Sequence, residues 1–202
     1  MEKRTYVVGV GGGTCSGKST IVEKLAKILS EKYKVAVLNM DGYYKPIALT
    51  TIAPITRIEY PEHNHPDAMD IDRLYNDLIA AITDETNDIV LIEGLFALHF
   101  DQLREKFDLK IFVDLKSDER MYRRIKRMIN YETMDQIVDR YLDTVRYRHD
   151  ELVEPTRWHA DLVVNGTLDA NLGTSIVESY IESQLVSKKV NTEKLSRQLK
   201  TF

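Results

Sequence analysis

The chain has 202 residues, 43% of them hydrophobic and 30% charged, the balance of a globular protein long enough to bury a sizeable core without staples. A net charge of −4 argues against nucleic acid as a partner, because phosphate-backbone binders are usually basic. The single cysteine, Cys15, excludes an intramolecular disulfide and suits a reducing cytoplasm, and the apolar run from Val7 to Val10 is too short for a leader or a membrane span.

In chain order, Thr5 to Gly11 reads as an apolar, valine-rich strand of the kind buried on both faces of a parallel sheet. Lys18 to Glu31 has helical spacing, with Ile21, Leu25, Ile28 and Leu29 on one face and Glu23, Lys24 and Lys27 away from it. Lys34 to Asn39 reads as a second buried strand. Gly42 to Asp67 carries four of the five prolines and little periodicity, so a long functional loop is expected. Asp70 is placed to cap a helix running to about Ile82, with Leu74, Leu78, Ile79 and Ile82 inward.

Asp88 to Ile92, Leu109 to Leu115 and Asp161 to Asn165 complete five strands, and long helical segments lie between the last two. Ser117 is expected to cap one of these, with Asp118 and Glu119 in its first turn, where the helix dipole favours anions. Strands alternating with helices predict an α/β fold: a parallel sheet with helices on both faces. Neither an internal repeat nor a boundary is visible, so one domain is expected over residues 1–202, closed by a polar stretch from 187 to 202 that reads as a helix or a frayed tail.

The segment Gly12-Gly13-Thr14-Cys15-Ser16-Gly17-Lys18-Ser19 matches the Walker A pattern, between a predicted strand and a predicted helix. Glycines let the backbone approach phosphates and turn its N–H groups toward them, and the helix start adds the positive end of its dipole. Lys18 is expected to reach the β- and γ-phosphates of a nucleoside triphosphate, ATP, and Ser19 to ligate Mg²⁺. Thr20 follows on the same helix start.

Ligands of open α/β sheets sit beyond the carboxyl ends of the strands. There the second strand ends at Asp41, which can take a proton from a substrate hydroxyl or hold Mg²⁺ through water. The third ends at Glu93, four apolar residues followed by a carboxylate, as in a Walker B arrangement near Mg²⁺. Arg120, Arg123, Arg124 and Arg127 recur at spacings of three and four, giving one basic helical face able to clamp transferring phosphoryl charge; a solvated face is the alternative. The five histidines form no trusted metal-ligand spacing.

The ordered motifs GGGTCSGKST, MDGYYK, HNHPDAMD, VLIEGLFAL, LKIFVDLKSDERMYRRIKR and EPTRWHADLVVN resemble those of the uridine kinase and phosphoribulokinase group of P-loop kinases, over about Tyr6 to Ser183. The resemblance implies a five-stranded parallel sheet and transfer of phosphate from ATP to a hydroxyl. It makes Asp41 the catalytic base, Tyr44 a substrate-side tyrosine, Glu93 the Walker B-type glutamate, and the Arg120–Arg127 stretch a lid helix, with Arg124 beside Lys18 at the transferring phosphoryl group. Arg157 falls where the family carries a basic residue near adenine, and Asn64, His65 and Arg127 fall on the acceptor side.

Three departures stand out. Asn64 replaces an aspartate that binds ribose in uridine kinases. Thr83 to Asn87 is too short for the base-binding β-hairpin those enzymes insert before the Walker B strand. Met128 to Thr133 replaces an ERGR-like lid stretch. A nucleoside, uridine- or cytidine-like, is the leading acceptor. The alternatives are another small hydroxyl compound, such as a sugar phosphate or vitamin precursor, or a regulatory nucleotide-binding protein. A homo-oligomer is compatible with the sequence.

Overall fold

The computed structural model describes residues 5–47, 49–84, 86–167 and 171–199, with side chains to residue 187. Its centre is a five-stranded parallel sheet in the order β2-β5-β1-β6-β7, built from β1 (Tyr6–Gly12), β2 (Val35–Asn39), β5 (Ile89–Glu93), β6 (Leu109–Asp114) and β7 (Leu162–Asn165). All five strands fall where the apolar runs predict them. Every residue of β1 and β5 is buried, because each has a strand on both edges and helices over both faces.

β2 differs from expectation. It lies at the sheet edge, and Val37 is 46% exposed, so this strand is half-covered rather than buried. Apolar composition alone does not distinguish an edge strand from a central one.

Helix α1 (Lys18–Leu29) buries Ile21, Val22, Leu25 and Leu29 against one face of the sheet, each burial stabilising by about 1.5–3 kcal/mol. Val22 takes the inward place expected of Ile28. The same face receives Val177, Ile181 and Leu185 of α7 (Asn171–Leu199), so most of the polar C-terminal stretch is helical. The opposite face is covered by α2 (Ile71–Thr83), through Leu74 and Leu78, and by the segment around Phe96 and Leu98. As expected, Asp70 caps α2, its carboxylate accepting from the Arg73 N–H. No helix of the described residues is long and apolar enough to cross a membrane.

The stretch read as a long loop contains an antiparallel hairpin, β3 (Leu49–Ile52) paired with β4 (Glu59–Glu62). Its strands are four residues long, and Pro61 within β4 removes a donor, which weakens any strand signal in the sequence. Among the described residues no strand lies between α2 and β5, in keeping with the short Thr83–Asn87 connection.

After the short α3 (Asp101–Arg104) and β6 comes α4 (Ser117–Met128). Lys116 occupies its N-cap and Ser117 is its first helical residue, without a capping hydrogen bond, so the expected Ser117 cap is one position off. The next helix is capped properly. Thr133 and Gln136 form a reciprocal capping box at the start of α5 (Met134–Arg140). That helix continues through a π turn (Tyr141–Val145), α6 (Arg146–Arg148) and a second π turn (His149–Val153) into a 3₁₀ segment (Glu154–His159).

Candidate active site

Strand register assembles the site. Glu93 ends β5, opposite Val10 of β1 on one side and Asn39 of β2 on the other. It therefore stands between the loop that leaves β1 and the Asp41 turn that leaves β2. Asn39 shapes that turn, its side-chain oxygen accepting from the Asp41 N–H at 2.8 Å.

The loop between β1 and α1 holds two positions that demand glycine, one for its backbone angle and one for space. Gly17 precedes the helix with φ of 104°, a left-handed value suited to glycine. At Gly13 the constraint is space: a Cβ there would lie 2.9 Å from Arg120 Nη1 and 3.0 Å from the His149 ring. Arg120 and His149 thus form the wall behind the loop. Arg120 is buried, with Nε donating to the Leu115 carbonyl.

An open cavity of about 740 Å³ runs over the loop. Thr14, Cys15, Gly17, Lys18, Ser19 and Thr20 form its floor. Asp41, Tyr44, Pro61, His63 and Asn64 form one wall, and Glu93 and Leu95 its inner end. Arg123, Arg124, Arg127 and Met128 of α4, with Tyr131 and Arg140, form the other.

At the floor, Lys18 Nζ donates to the Gly13 carbonyl at 3.0 Å, and Ser19 Oγ donates to Glu93 Oε1 at 3.0 Å. Burial pushes the Lys18 ammonium below its ordinary pKa, against the pull of Glu93 and Asp41. Burial likewise raises the Glu93 carboxyl, while Lys18 and the Ser19 hydroxyl pull it back. In both groups the cost of burial outweighs the attraction of the opposite charge beside it.

On the wall that holds Asp41, the Tyr44 hydroxyl donates to the His63 carbonyl at 2.9 Å, and the two rings meet edge to face. Burial, with help from Asp41 and Glu62, lifts the Tyr44 phenol to about 12, so it stays a neutral donor. On the basic wall, burial lowers the Arg124 pKa, and Arg124 Nε is buried without a partner. Arg140 is paired with Glu132, Nη2 to Oε2 at 2.7 Å, while its own Nε is also buried and unpartnered.

Residues 79–172 match the Phosphoribulokinase / Uridine kinase family. A uridine kinase of Macrococcus caseolyticus (strain JCSC5402) is 32% identical, over 89% of this chain and 97% of that one. The chain belongs to the phosphoribulokinase and uridine kinase family. A uridine kinase of Lactococcus lactis subsp. lactis (strain IL1403) is 30% identical over 91% of this chain and 98% of its own. Two solved structures share the fold at low identity. Phosphoribulokinase from Rhodobacter spheroides has a TM-score of 0.58 at 12% identity, covering 81% of this chain and 71% of that one. A gluconokinase from Sinorhizobium meliloti 1021 has a TM-score of 0.56 at 12% identity, covering 95% and 99%.

In this family member most of the expected site residues meet in one cavity, but several do not line it. Gly12, Gly13 and Ser16 lie in the loop behind the floor, and Arg120 backs the loop. His65 turns inward on its own chain: Nδ1 accepts from the Asp67 N–H and caps the short 3₁₀ turn at Pro66. Arg157 is held by carboxylates, with Asp114 at 3.1 Å and Glu154 at 3.6 Å, outside the cavity lining. Conversely, Arg140, Tyr131, His63 and Pro61 line it, and sequence reading did not single them out as site residues. Arg140 lay outside the periodic arginine run; its only signal is a position seven residues after the Thr133 cap.

Proposed function

We propose that this kinase transfers the γ-phosphoryl group of MgATP to a hydroxyl of a nucleoside, uridine- or cytidine-like. One observation carries the reading: the Lys18–Ser19 floor, the Ser19–Glu93 pair and Asp41 open into a single cavity whose far wall presents Tyr44 and Asn64. The donor phosphates lie on the floor, where Lys18 and the loop N–H groups neutralise them. The Ser19 hydroxyl and Glu93 carboxylate fit Mg²⁺, which binds one or two protein oxygens and completes its shell with phosphate and water. When bound, the ion neutralises charge on the β- and γ-phosphates.

Asp41 accepts the proton of the acceptor hydroxyl. The hydroxyl oxygen forms a bond to the γ-phosphorus as the bridge to the β-phosphate breaks, and ADP departs with the electron pair of that bond. Arg124 and Arg127 stabilise charge on the transferring group and help to exclude water. Tyr44 and Asn64 offer neutral hydrogen-bonding groups to a sugar. A cytoplasmic location, with small molecules rather than nucleic acid as partners, agrees with this chemistry.

The test is ATP consumption against a panel of nucleosides, sugar phosphates and pantothenate-like compounds. Acceleration by uridine or cytidine is expected. Acceleration by another compound of the panel alone would overturn the nucleoside reading and keep the kinase. The short connection between α2 and β5 makes that second reading specific, since it leaves no room for the base-binding hairpin expected there of uridine kinases.

A further inference from the structure

The β3–β4 hairpin is fastened to the helix that carries Arg140, and the fastening passes through the acceptor wall. Glu62, the last residue of β4, is only 3% exposed. One carboxylate oxygen accepts from the Asn64 N–H at 2.6 Å. The other accepts from Arg148 Nε at 2.9 Å. The Arg148 fork reaches further, Nη1 to Glu151 at 2.9 Å and Nη2 to the Thr51 hydroxyl of β3 at 3.3 Å. A second fastening lies nearby, where Asp143 Oδ2 accepts from the Thr56 hydroxyl at 2.7 Å and the Tyr60 hydroxyl at 2.9 Å.

Helix geometry explains why both fastenings reach one hairpin. Asp143 and Arg148 are five residues apart, and on an α-helix they would point about 140° away from each other. The π turns that bracket α6 carry i→i+5 bonding, which widens the turn and brings both side chains to the hairpin side. Such π segments are uncommon and concentrate at functional sites.

Between these anchors, Pro61, His63 and Asn64 face the cavity. The charges of Glu62 and Arg148 offset each other behind the wall, so the hairpin side chains that face the cavity, Pro61, His63 and Asn64, add no carboxylate, ammonium or guanidinium to it. We propose that Glu62 is the positioning residue for acceptor specificity: by tying Asn64 to Arg148 it makes the β3–β4 hairpin the acceptor-recognition wall, one selective for an uncharged polyhydroxyl molecule. This rests on the nucleoside reading for the identity of the acceptor, but the tie itself does not.

Two measurements decide it. Hydrogen exchange needs no acceptor: Arg148→Met and Glu62→Gln should each speed amide exchange across residues 49–64, and an unchanged pattern overturns the inference whatever the substrate. Steady-state kinetics with uridine then reads function. Both variants should raise KM for uridine about ten-fold or more while KM for ATP stays within about two-fold, and the double variant should be no worse than either single one, since the two residues act as a unit. Arg148→Lys, which keeps the charge on Glu62, should recover part of the loss and serves if the other variants fold poorly. Equal changes in both KM values, or additive losses, overturn the inference. Failure of the unaltered enzyme to use any nucleoside overturns the acceptor assignment instead, and leaves the exchange result to decide the tie.

Discussion

Ser19 Oγ donates to Glu93 Oε1 at 3.0 Å across a separation of 74 residues, joining the first turn of α1 to the end of β5. The contact exists because β5 lies beside β1 in the sheet, which sets Glu93 level with Val10, just before the phosphate loop. Replacing Glu93 by Gln keeps the shape and a hydrogen bond to Ser19 but removes the charge. Activity at fixed Mg²⁺ should fall by about 10–100-fold, with part of the loss recovered by raising Mg²⁺. A Mg²⁺ titration of initial rates checks this, and an unchanged Mg²⁺ dependence would remove Glu93 from the metal site.

Asp41 opens onto the same cavity from the neighbouring turn. Asp41→Asn should leave ATP binding nearly intact and reduce turnover about 10²–10⁴-fold, the usual worth of a general base. Isothermal titration with a non-hydrolysable ATP analogue, beside turnover, separates the two quantities. Unaltered turnover excludes the base assignment.

Arg140 and Glu132 form an ion pair at 2.7 Å on the cavity wall, next to the unpartnered Arg124 Nε. The wall holds Arg123, Arg124, Arg127 and Arg140, so its positive charge exceeds what Glu132 offsets. Arg140→Met should lower kcat by about 10²-fold, comparable to loss of one electrostatic donor at a transition state. Glu132→Gln frees Arg140 for phosphate and should leave kcat near its starting value. Equal losses in the two variants would mean that the pair serves folding alone.

His149, buried against the phosphate loop, has its pKa lowered from 6.5 to about 4 by burial and then by Arg120 and Lys18. Glu154 lies 3.3 Å from its Nε2 and pulls the other way, yet Glu154 is 43% exposed and its field is screened by water, so the lowering wins. Between the two pKa values the unfolded chain binds more protons than the folded one. The neutral imidazole therefore costs nothing above pH 6.5, and stability falls as pH drops from 6.5 toward 4, by roughly 3 kcal/mol at most. Chemical denaturation of the protein and of His149→Gln across that range checks the sign: the variant should lose this part of the pH dependence.

The strands, the phosphate loop and the carboxylates after β2 and β5 were legible because each is written locally. An apolar run, a glycine spacing or a carboxylate at a strand end carries its meaning within ten residues. The same locality explains the misses. The hairpin is two four-residue strands interrupted by Pro61 and held by side chains 86 and 87 residues away, so no window of sequence contains its support. Arg140 joins the arginines of α4 only after the chain turns at Thr133, and His65 and Arg157 lie outside the cavity lining, in contact with Asp67 and with Asp114 and Glu154. The sequence by itself thus determined the donor half of this kinase, a phosphate loop whose geometry follows from its own backbone. Tertiary structure decided the cavity wall that faces the α4 arginines, because the hairpin there is tied by Glu62 and Arg148 meeting across a widened helix, a contact between segments that share no local pattern.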